Sequence, residues 1–317
     1  MDYILLILGI VILVKGADYL VDGSSVIAKN FGIPSIIVGL TIVAFGTSVP
    51  DVVVSLMAAI NGQVGTVFGN VVGSNIANIL LILGIVVILK PLNIKKSTVL
   101  KEILFSLLAT VVLFVVSNNL IWGDSSVSSL TKVDGFVLLM FFGIFIYFFI
   151  GPIKSKKIPK ESFNKQRNVW EEIWIIVMGI IGLYLGGKWV VESASSIALS
   201  FGVSEFLIAS TVIAVGTSLP ELITSVKAVM RNESDLALGN IIGSNIFNIF
   251  GVLGITFAIS PVTMPKVINV DILFLMFVTT LLFSFMFIGE KHKLKRWQGV
   301  LFLVLYAVYI TFLVLRG

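Results

Sequence analysis

The 317-residue sequence has no cysteine and a single histidine, His292. Without cysteine it cannot form disulfides, thiolate-ligated metal sites or a thiol nucleophile. His292 lies in the charged stretch 290–293, where we interpret it as a solvated loop residue. A single histidine in this setting excludes a histidine-rich metal site and a Ser-His-Asp triad. An enzyme is therefore the least favoured class, and no cofactor is predicted.

Charged residues are also scarce: they make up 12% of the sequence, whereas 57% is hydrophobic. Soluble domains carry about 25% charged residues, so this composition excludes an ordinary soluble protein. The net charge of +5 is typical of a protein that meets nucleic acid or an anionic membrane surface. The positions of the basic residues decide between these two partners.

Apolar runs long enough to cross a lipid bilayer recur along the whole chain. A spanning helix needs about 20 largely apolar residues, and backbone groups inside lipid must be hydrogen-bonded within the protein. Ten runs meet this length, at 3–27, 33–60, 66–89, 98–117, 130–150, 170–196, 203–230, 236–260, 267–289 and 298–315. The sequence therefore predicts an all-α integral membrane protein with ten transmembrane helices.

The basic residues are distributed unevenly among the loops between these runs. With the N-terminus outside, sixteen of the 22 Lys and Arg fall in cytoplasmic segments, which satisfies the positive-inside rule. We therefore expect a multi-pass plasma-membrane protein with both termini outside, a basic cytoplasmic linker at 151–169 and no nucleic-acid partner. Two lysines inside the runs are expected to pair locally, Lys15 with Asp18 and Lys188 with Glu192.

The sequence repeats itself at an offset of 170 residues. Residues 46–51 (GTSVPD) match 216–221 (GTSLPE), and 69–75 (GNVVGSN) match 239–245 (GNIIGSN). Since five runs separate the copies, they cross the membrane in opposite directions, which is a transporter architecture. The sequence thus predicts two inverted five-helix repeats, 1–150 and 170–317.

A glycine and a proline interrupt the second and seventh runs near their centres. Pro50 and Pro220 have no N–H and crowd the carbonyls one turn back, at Gly46 and Gly216. Irregular backbone at mid-membrane survives only where it lines a cavity or binds something. We therefore predict that helices 2 and 7 are broken, and helices 3 and 8 as well, around a midplane ion site.

A carboxylate follows each break, Asp51 in one repeat and Glu221 in the other. A charge at the bilayer centre costs about 2.5–3.5 kcal/mol, so both need compensation. Lys227 is the only Lys or Arg in the four runs that carry the matched motifs, and it lies more than a turn beyond Glu221. A bound cation is therefore the better partner, although protonated packing groups are an alternative interpretation.

Asparagine and serine recur every four residues on the third and eighth runs, and so share one helix face in each. The stripes are Asn70, Ser74 and Asn78, and Asn240, Ser244 and Asn248. Ion coordination and interhelical hydrogen bonding are both compatible with such stripes. Hard oxygen ligands without sulfur or imidazole favour Na+, Ca2+ or Mg2+.

These motifs resemble the two alpha repeats of the sodium/calcium exchangers in the calcium/cation antiporter superfamily. The alpha motifs correspond to 39–84 and 209–254, and the likeness extends over the ten-span plan. The resemblance implies an alternating-access antiporter that exchanges several Na+ for Ca2+ electrogenically and functions as a monomer without a protein partner. An H+/Ca2+ exchanger and a cation channel remain alternatives.

The resemblance also implies an ion-ligand set. Calcium is expected between the carboxylates of Asp51 and Glu221 and the backbone carbonyls of Thr47 and Thr217. Sodium sites correspond to eight further residues: Ala44, Ala214, Ser48, Ser218, Ser74, Ser244, Asn78 and Asn248.

Two positions depart from the family pattern. Asp51 stands where most relatives have glutamate, and it is similar to the mitochondrial sodium/lithium/calcium exchangers, so lithium transport is a hypothesis for this chain. Asn248 stands where potassium-dependent exchangers and some archaeal relatives have aspartate. Its neutral amide argues against K+ co-transport.

Overall fold

A computed structural model describes residues 2–118, 129–150, 168–202, 214–264, 267–288 and 290–316. The helices are α1 (Asp2–Phe31), α2 (Ser35–Thr47), α3 (Val49–Ile60), α4 (Val64–Leu89), α5 (Lys96–Ser117), α6 (Lys132–Ile150), α7 (Val169–Ser200), α8 (Ala214–Gly216), α9 (Leu219–Met230), α10 (Ser234–Ile259), α11 (Ile268–Phe285) and α12 (Arg296–Arg316). Four two-residue strands lie in the loops: β1 (Leu92–Asn93), β2 (Ser129–Leu130), β3 (Val262–Thr263) and β4 (Lys293–Leu294).

Eight of the described helices are long and apolar enough to cross a membrane, namely α1, α4, α5, α6, α7, α10, α11 and α12. Helices α2 and α3 form a ninth candidate that is bent by 46°. The predicted run 203–230 begins in residues 203–213, which lie outside the described part, and it ends in α9. Most of the predicted linker, 151–167, lies outside it too. The chain is thus a multi-pass membrane protein, and the count of ten stays a prediction.

The 170-residue offset is visible in the turns between helices. Gly32 and Gly202 have φ values of 62° and 78°, and Gly62 and Asn232 have φ values of 72° and 63°. Only glycine adopts this left-handed backbone freely, with asparagine next best, so equivalent turns use equivalent residues. Strands β1 and β3 are also 170 residues apart. The two halves therefore share a backbone plan where both are described.

Contacts between loops group them into two sets. Strand β1 pairs with β4, and Lys95 forms a 2.6 Å ion pair with Asp235, so loops predicted to be cytoplasmic meet. Strand β2 pairs with β3, and the Ser196 hydroxyl donates to Asp2 at 2.6 Å, so segments predicted to be outside meet. The predicted division into two sides fits these contacts.

Helices α4 and α10 lie at the centre of the fold. They are 78% and 89% buried over their most apolar stretches, against 44% or less for the other six candidate spans. Close packing of α2 on α10 depends on glycine, because a Cβ on Gly239 would lie 2.4 Å from the Ile36 carbonyl oxygen. Helices α1 and α7 also meet through glycine: a Cβ on Gly16 would lie 2.6 Å from the Leu183 nitrogen.

The predicted breaks in helices 3 and 8 are wrong. Helices α4 and α10 are each continuous, and each contains a π-helical segment, Asn78–Ile82 and Phe247–Leu253 respectively. Neither helix contains proline, so nothing removes a hydrogen bond from the ladder. The wider π turns distort the backbone beside the Asn and Ser stripes without interrupting it.

Candidate ion-binding site

The two carboxylates stand at the starts of two half-helices built alike. Ser48 precedes α3 with φ −89° and ψ 5°, and Ser218 precedes α9 with φ −91° and ψ 2°. Proline is the second residue of each half-helix, where its missing N–H is not needed, and the carboxylate is the third. The positive end of each helix dipole therefore faces Asp51 or Glu221.

Each carboxylate is held by a donor from the opposite repeat. The Ser48 hydroxyl donates to Oε1 of Glu221 at 2.9 Å, and the Asn248 amide donates to Oδ2 of Asp51 at 3.1 Å. Both carboxylates are 1% exposed. The site thus lies at the interface between the repeats, in the interior of the protein.

Several buried oxygens at this interface have no hydrogen-bond partner within the described residues. Six belong to the predicted ligand set: Asp51 Oδ1, Glu221 Oε2, Ser74 Oγ, Ser218 Oγ, Asn78 Oδ1 and Asn248 Oδ1. A buried polar group left unpaired costs about 1–3 kcal/mol, and a charged group costs more. A group of unpaired oxygens that includes two carboxylate oxygens is an environment that a desolvated cation stabilises.

No basic side chain compensates these carboxylates in the part of the chain that the structure describes. Lys227 points away from Glu221 and forms a 3.1 Å ion pair with Asp18, which Arg231 also contacts at 3.1 Å. The expected pairing of Asp18 with Lys15 is therefore replaced by one between helices, whereas the pairing of Lys188 with Glu192 is confirmed at 3.7 Å. The described residues also contain no group of three or more Asp, Glu or His, so neutral oxygens must complete any ion site here.

The other predicted ligands differ in their hydrogen-bond partners and in their burial. The buried Thr47 hydroxyl has two acceptors at 3.1 Å, Asn240 Oδ1 and the Val43 carbonyl, and lies 3.5 Å from the Ser244 hydroxyl. Asn78 donates to Asn245 Oδ1 at 2.9 Å and forms no hydrogen bond with Glu221 in the described part of the chain. Ala44 is fully buried, and Thr217, in the turn before α9, is half-buried. The backbone of Ala214 begins α8, and its side chain lies outside the description.

The glycines of the breaks make room for α7. A Cβ on Gly46 would lie 2.8 Å from the Ile180 side chain, and a Cβ on Gly216 would lie 2.2 Å from Cγ2 of Val191. A larger residue at either position would require the Ile180 or Val191 side chain, or α7 itself, to shift. Glycine thus permits the close approach of α7 at each break.

Two asparagines that were absent from the predicted ligand set brace the half-helices. Asn70 donates to the Asp51 carbonyl at 3.3 Å and to the Ser55 hydroxyl at 3.0 Å. Asn240 donates to the Glu221 carbonyl at 3.4 Å and to the Ser225 hydroxyl at 3.0 Å. Each carboxylate residue is therefore fixed through its backbone. The signal for this role was available, since both asparagines and both serines recur at the 170-residue offset.

A second pair of asparagines joins the repeats directly. Asn75 donates to the Asn245 carbonyl at 3.2 Å, and Asn245 donates to the Asn75 carbonyl at 3.3 Å. Because each residue makes the same contact to the other, the axis that relates the two repeats passes between them. This pair ties α4 to α10 beside the site.

Comparison with known proteins agrees with this architecture. The sodium/calcium exchanger protein family matches residues 1–151 and 171–315. The chain belongs to this family. Sodium/calcium exchanger MaX1 of Methanosarcina acetivorans is 31% identical over 98% of this chain and 98% of its own, and inner membrane protein YrbG of Escherichia coli is 35% identical over 81% and 79%.

The solved structure of the sodium/calcium exchanger from Methanococcus jannaschii superimposes on this exchanger-family chain with a TM-score of 0.80. It is 32% identical and covers 98% of this chain and 97% of that one. The family and this structural match support antiport of Ca2+ against another cation.

Proposed function

We propose that this exchanger moves Ca2+ out of the cytoplasm in exchange for several Na+ by alternating access. The observation that carries the proposal is the pair of buried carboxylates from inverted repeats, each with one oxygen held by a neutral donor and one without a partner among the described residues. Such a pair attracts cations strongly, and the inverted repeats suit a site that opens to either side in turn.

Charge balance links the two ions. One Ca2+ neutralises Asp51 and Glu221, and so do two Na+ ions, so the two kinds of ion compete for the same carboxylates. An exchange of more than two Na+ for each Ca2+ would move net charge and be electrogenic. The similarity of Asp51 to the aspartate of the mitochondrial sodium/lithium/calcium exchangers extends the proposal to Li+ as a further monovalent cargo.

The proposed calcium ligands are the two carboxylates together with the carbonyl oxygens of Thr47 and Thr217. The proposed sodium ligands are Ala44, Ala214, Ser48, Ser218, Ser74, Ser244, Asn78 and Asn248. In support, Asp51, Glu221 and four of the sodium set carry buried oxygens that have no hydrogen-bond partner in the part of the chain that the structure describes. Backbone carbonyls at the breaks would serve Ca2+ well, because oxygen is the ligand that this ion prefers.

The proposal includes the setting of the protein in the cell. Repeats 1–150 and 170–317 are joined by the cytoplasmic linker 151–169, and both termini lie outside the plasma membrane. The basic residues on one side support this orientation. The proposal also takes the protein to function as a monomer without a cofactor.

Flux into reconstituted vesicles tests the proposal. With Na+ inside and none outside, wild-type protein should take up 45Ca2+, and dissipation of the Na+ gradient should abolish the uptake. Uptake driven by a pH gradient without Na+ would instead identify an H+/Ca2+ exchanger. Calcium flux that is indifferent to Na+ on the far side would identify a channel.

A further inference from the structure

The turn between α9 and α10 carries charges that its repeat counterpart lacks. Residues 231–235 read RNESD, whereas residues 61–65, which lie 170 positions earlier, read NGQVG. The two backbones are alike, since Asn232 and Gly62 both have a left-handed φ, of 63° and 72°. The repeats therefore keep the shape of this turn and change its side chains. Turn 231–235 lies at the predicted cytoplasmic face, and turn 61–65 lies at the predicted outer face.

Four ion pairs join α1 to the end of α9 and to this turn. Their nitrogen and oxygen atoms lie 3.1 to 3.3 Å apart. The side chain of Asp18, which faces two basic groups, is 22% exposed, so solvent screens its charge only in part. The pairs are Lys227–Asp18, Arg231–Asp18, Arg231–Asp22 and Lys29–Glu233. Helix α1 is therefore held to α9 by charge near the cytoplasmic face.

Two lysines of the loop between α4 and α5 hold the same turn from the other side. Lys90 donates to Oδ1 of Asn232 at 2.7 Å, and Lys95 pairs with Asp235 at 2.6 Å. Helix α4 is one of the two most buried candidate spans. The charged turn thus links α1 to the centre of the fold.

Among the described residues, no ion pair joins α7 to α3 at the equivalent outer contact. The acids of α1 correspond to Lys188 and Glu192, which pair with each other along α7 and are more than half exposed. The counterparts of Lys227, Arg231, Glu233 and Lys29 are the uncharged Met57, Asn61, Gln63 and Leu199. Packing differs in the same way, because α1 packs along α9 whereas α7 hardly touches α3 in the part that the structure describes. The fold is thus closed at the cytoplasmic contact and open at the outer one.

Helices α1 and α7 form one closely packed pair. A Cβ on Gly179 would lie 2.7 Å from the Leu20 nitrogen, and a Cβ on Gly186 would lie 2.5 Å from the Leu13 nitrogen. Small residues that bring two backbones this close give a tight helix–helix contact. An opening between α1 and α9 therefore moves α7 as well, and the four ion pairs oppose it.

We propose that the four ion pairs form a cytoplasmic latch, which keeps the ion site closed to the cytoplasm and makes the outward-open state the resting state. Glu221 lies on α9 on the membrane side of Lys227, so separating α1 from α9 exposes this carboxylate toward the cytoplasm. The outer contact has no equivalent latch and opens more readily. This inference rests on the proposed alternating access and adds a bias between its two states.

Cysteine accessibility tests the latch, because the chain has no cysteine of its own. The inner reporter is Thr224→Cys, at a 1% exposed position of α9 between Glu221 and Lys227, and the outer reporter is its repeat equivalent, Val54→Cys. A membrane-impermeant maleimide is added without Na+ or Ca2+, to everted vesicles for the inner reporter and to right-side-out vesicles for the outer one. The double variant Lys227→Gln with Arg231→Gln breaks the latch.

The two reporters should respond in opposite directions. Removal of a bias of about tenfold leaves the two states equally populated, so the inner reporter should react about fivefold faster and the outer one about half as fast. The apparent KM for Ca2+ at the cytoplasmic face should fall as well, since more of the protein is open to that side. A general loosening of the protein would instead raise both reaction rates.

Two control variants keep the test specific. Lys227→Arg with Arg231→Lys preserves every charge and should leave both rates near those of the intact latch. Lys188→Gln with Glu192→Gln breaks the exposed pair of α7 and should also leave them unchanged. Where thermal unfolding shows that the double glutamine variant fails to fold, Arg231→Gln alone, which removes two pairs, takes its place. Unchanged rates in the latch variant, or rates that rise equally at both reporters, would overturn the proposal.

The thiol reaction does not require transport, so the latch and the proposed exchange fail separately. Wild-type vesicles without Na+-driven 45Ca2+ uptake would contradict the exchange, whatever the reporters show. Exchange in the wild type without opposite changes at the two reporters would contradict only the latch.

Discussion

In the first repeat, the carboxylate on α3 is held by an amide from α10; in the second, the carboxylate on α9 is held by a hydroxyl from the turn before α3. The half-helices themselves are alike, with the same backbone angles at Ser48 and Ser218 and the same brace from Asn70 and Asn240. The repeats therefore keep the scaffold of the site and differ in the donors that tune it.

The repeats also differ in the ion pairs that their first helices, α1 and α7, form. Asp18 and Asp22 on α1 form ion pairs with Lys227 and Arg231 at distances of 3.1–3.2 Å. At the equivalent positions of the other half, Lys188 and Glu192 pair within α7, and their counterparts on α3 are the neutral Met57 and Asn61. Charge thus joins α1 to α9 at the predicted cytoplasmic end, and the equivalent outer contact lacks it. The repeats thus differ in charge between these two equivalent contacts.

The largest effect should follow from neutralising a carboxylate of either repeat. Asp51→Asn and Glu221→Gln should each lower Na+-driven 45Ca2+ uptake by about 100-fold or more, because the remaining charge cannot balance Ca2+. Glu192→Gln is the matched control, since this exposed glutamate lies outside the site, and it should retain near-wild-type uptake. Full activity in either site variant would show that the two repeats do not contribute equally.

A smaller difference is expected between the bracing asparagines. Asn240→Ala removes an acceptor for Thr47 as well as the donor to Glu221, and it should destabilise the protein by about 2 kcal/mol and raise the KM for Ca2+. Asn70 is only half-buried, so Asn70→Ala should cost about half as much. Thermal unfolding with and without Ca2+ measures both effects. Equal losses would show that the brace is symmetric after all.

Breaking the ion pairs between α1 and α9 should have a modest effect. Lys227→Gln leaves Asp18 with Arg231 alone and should lower stability by about 1 kcal/mol, since the side chains of Lys227 and Asp18 are only 25% and 22% exposed. Lys188→Gln, in the exposed pair within α7, should change stability by less than about 0.5 kcal/mol. The melting temperature in low-salt detergent solution measures the difference, which salt should reduce. A reversed order would contradict the view that the ion pairs between α1 and α9 are the stronger ones.

The smallest effect concerns the loop before α12. Hydrogen bonds from Lys295 and Lys293, at 2.6 and 2.9 Å, lower the pKa of the exposed Glu290 to about 2. A lowered pKa adds stability above the ordinary glutamate value, and this stability is lost as the pH falls through about 2. Glu290→Gln should therefore slightly lower the melting temperature at pH 7, and the difference should fade below about pH 4. A difference that grows on acidification would contradict this assignment.

Much of the fold follows from local signals in the sequence. Apolar length predicts the spans, and proline with glycine predicts the bend at Ser48, because the missing N–H acts on the residue's own helix. The breaks expected in helices 3 and 8 are absent because these helices contain no proline. Each keeps a continuous backbone that only widens into a π-helical segment. A bend in the backbone is thus predictable where one residue type, here proline, enforces it.

The partners of the polar residues could not be predicted. Asp18 has Lys15 one turn away, yet it pairs with residues more than 200 positions distant, because packing brings α9 beside α1. The contact of Asp51 with Asn248 likewise depends on how α10 lies across α3 and on the length of one side chain. Spacing shows which residues share a helix face, and only the tertiary arrangement shows what that face meets.

Titration calorimetry of Ca2+ in Na+-free buffer tests the central claim most directly, because it detects the joint action of both repeats without requiring transport. The account predicts one Ca2+ bound per wild-type chain, and loss of that binding in Asp51→Asn and in Glu221→Gln alike, while Glu192→Gln binds as the wild type does. Retention of wild-type Ca2+ binding in both site variants would contradict it.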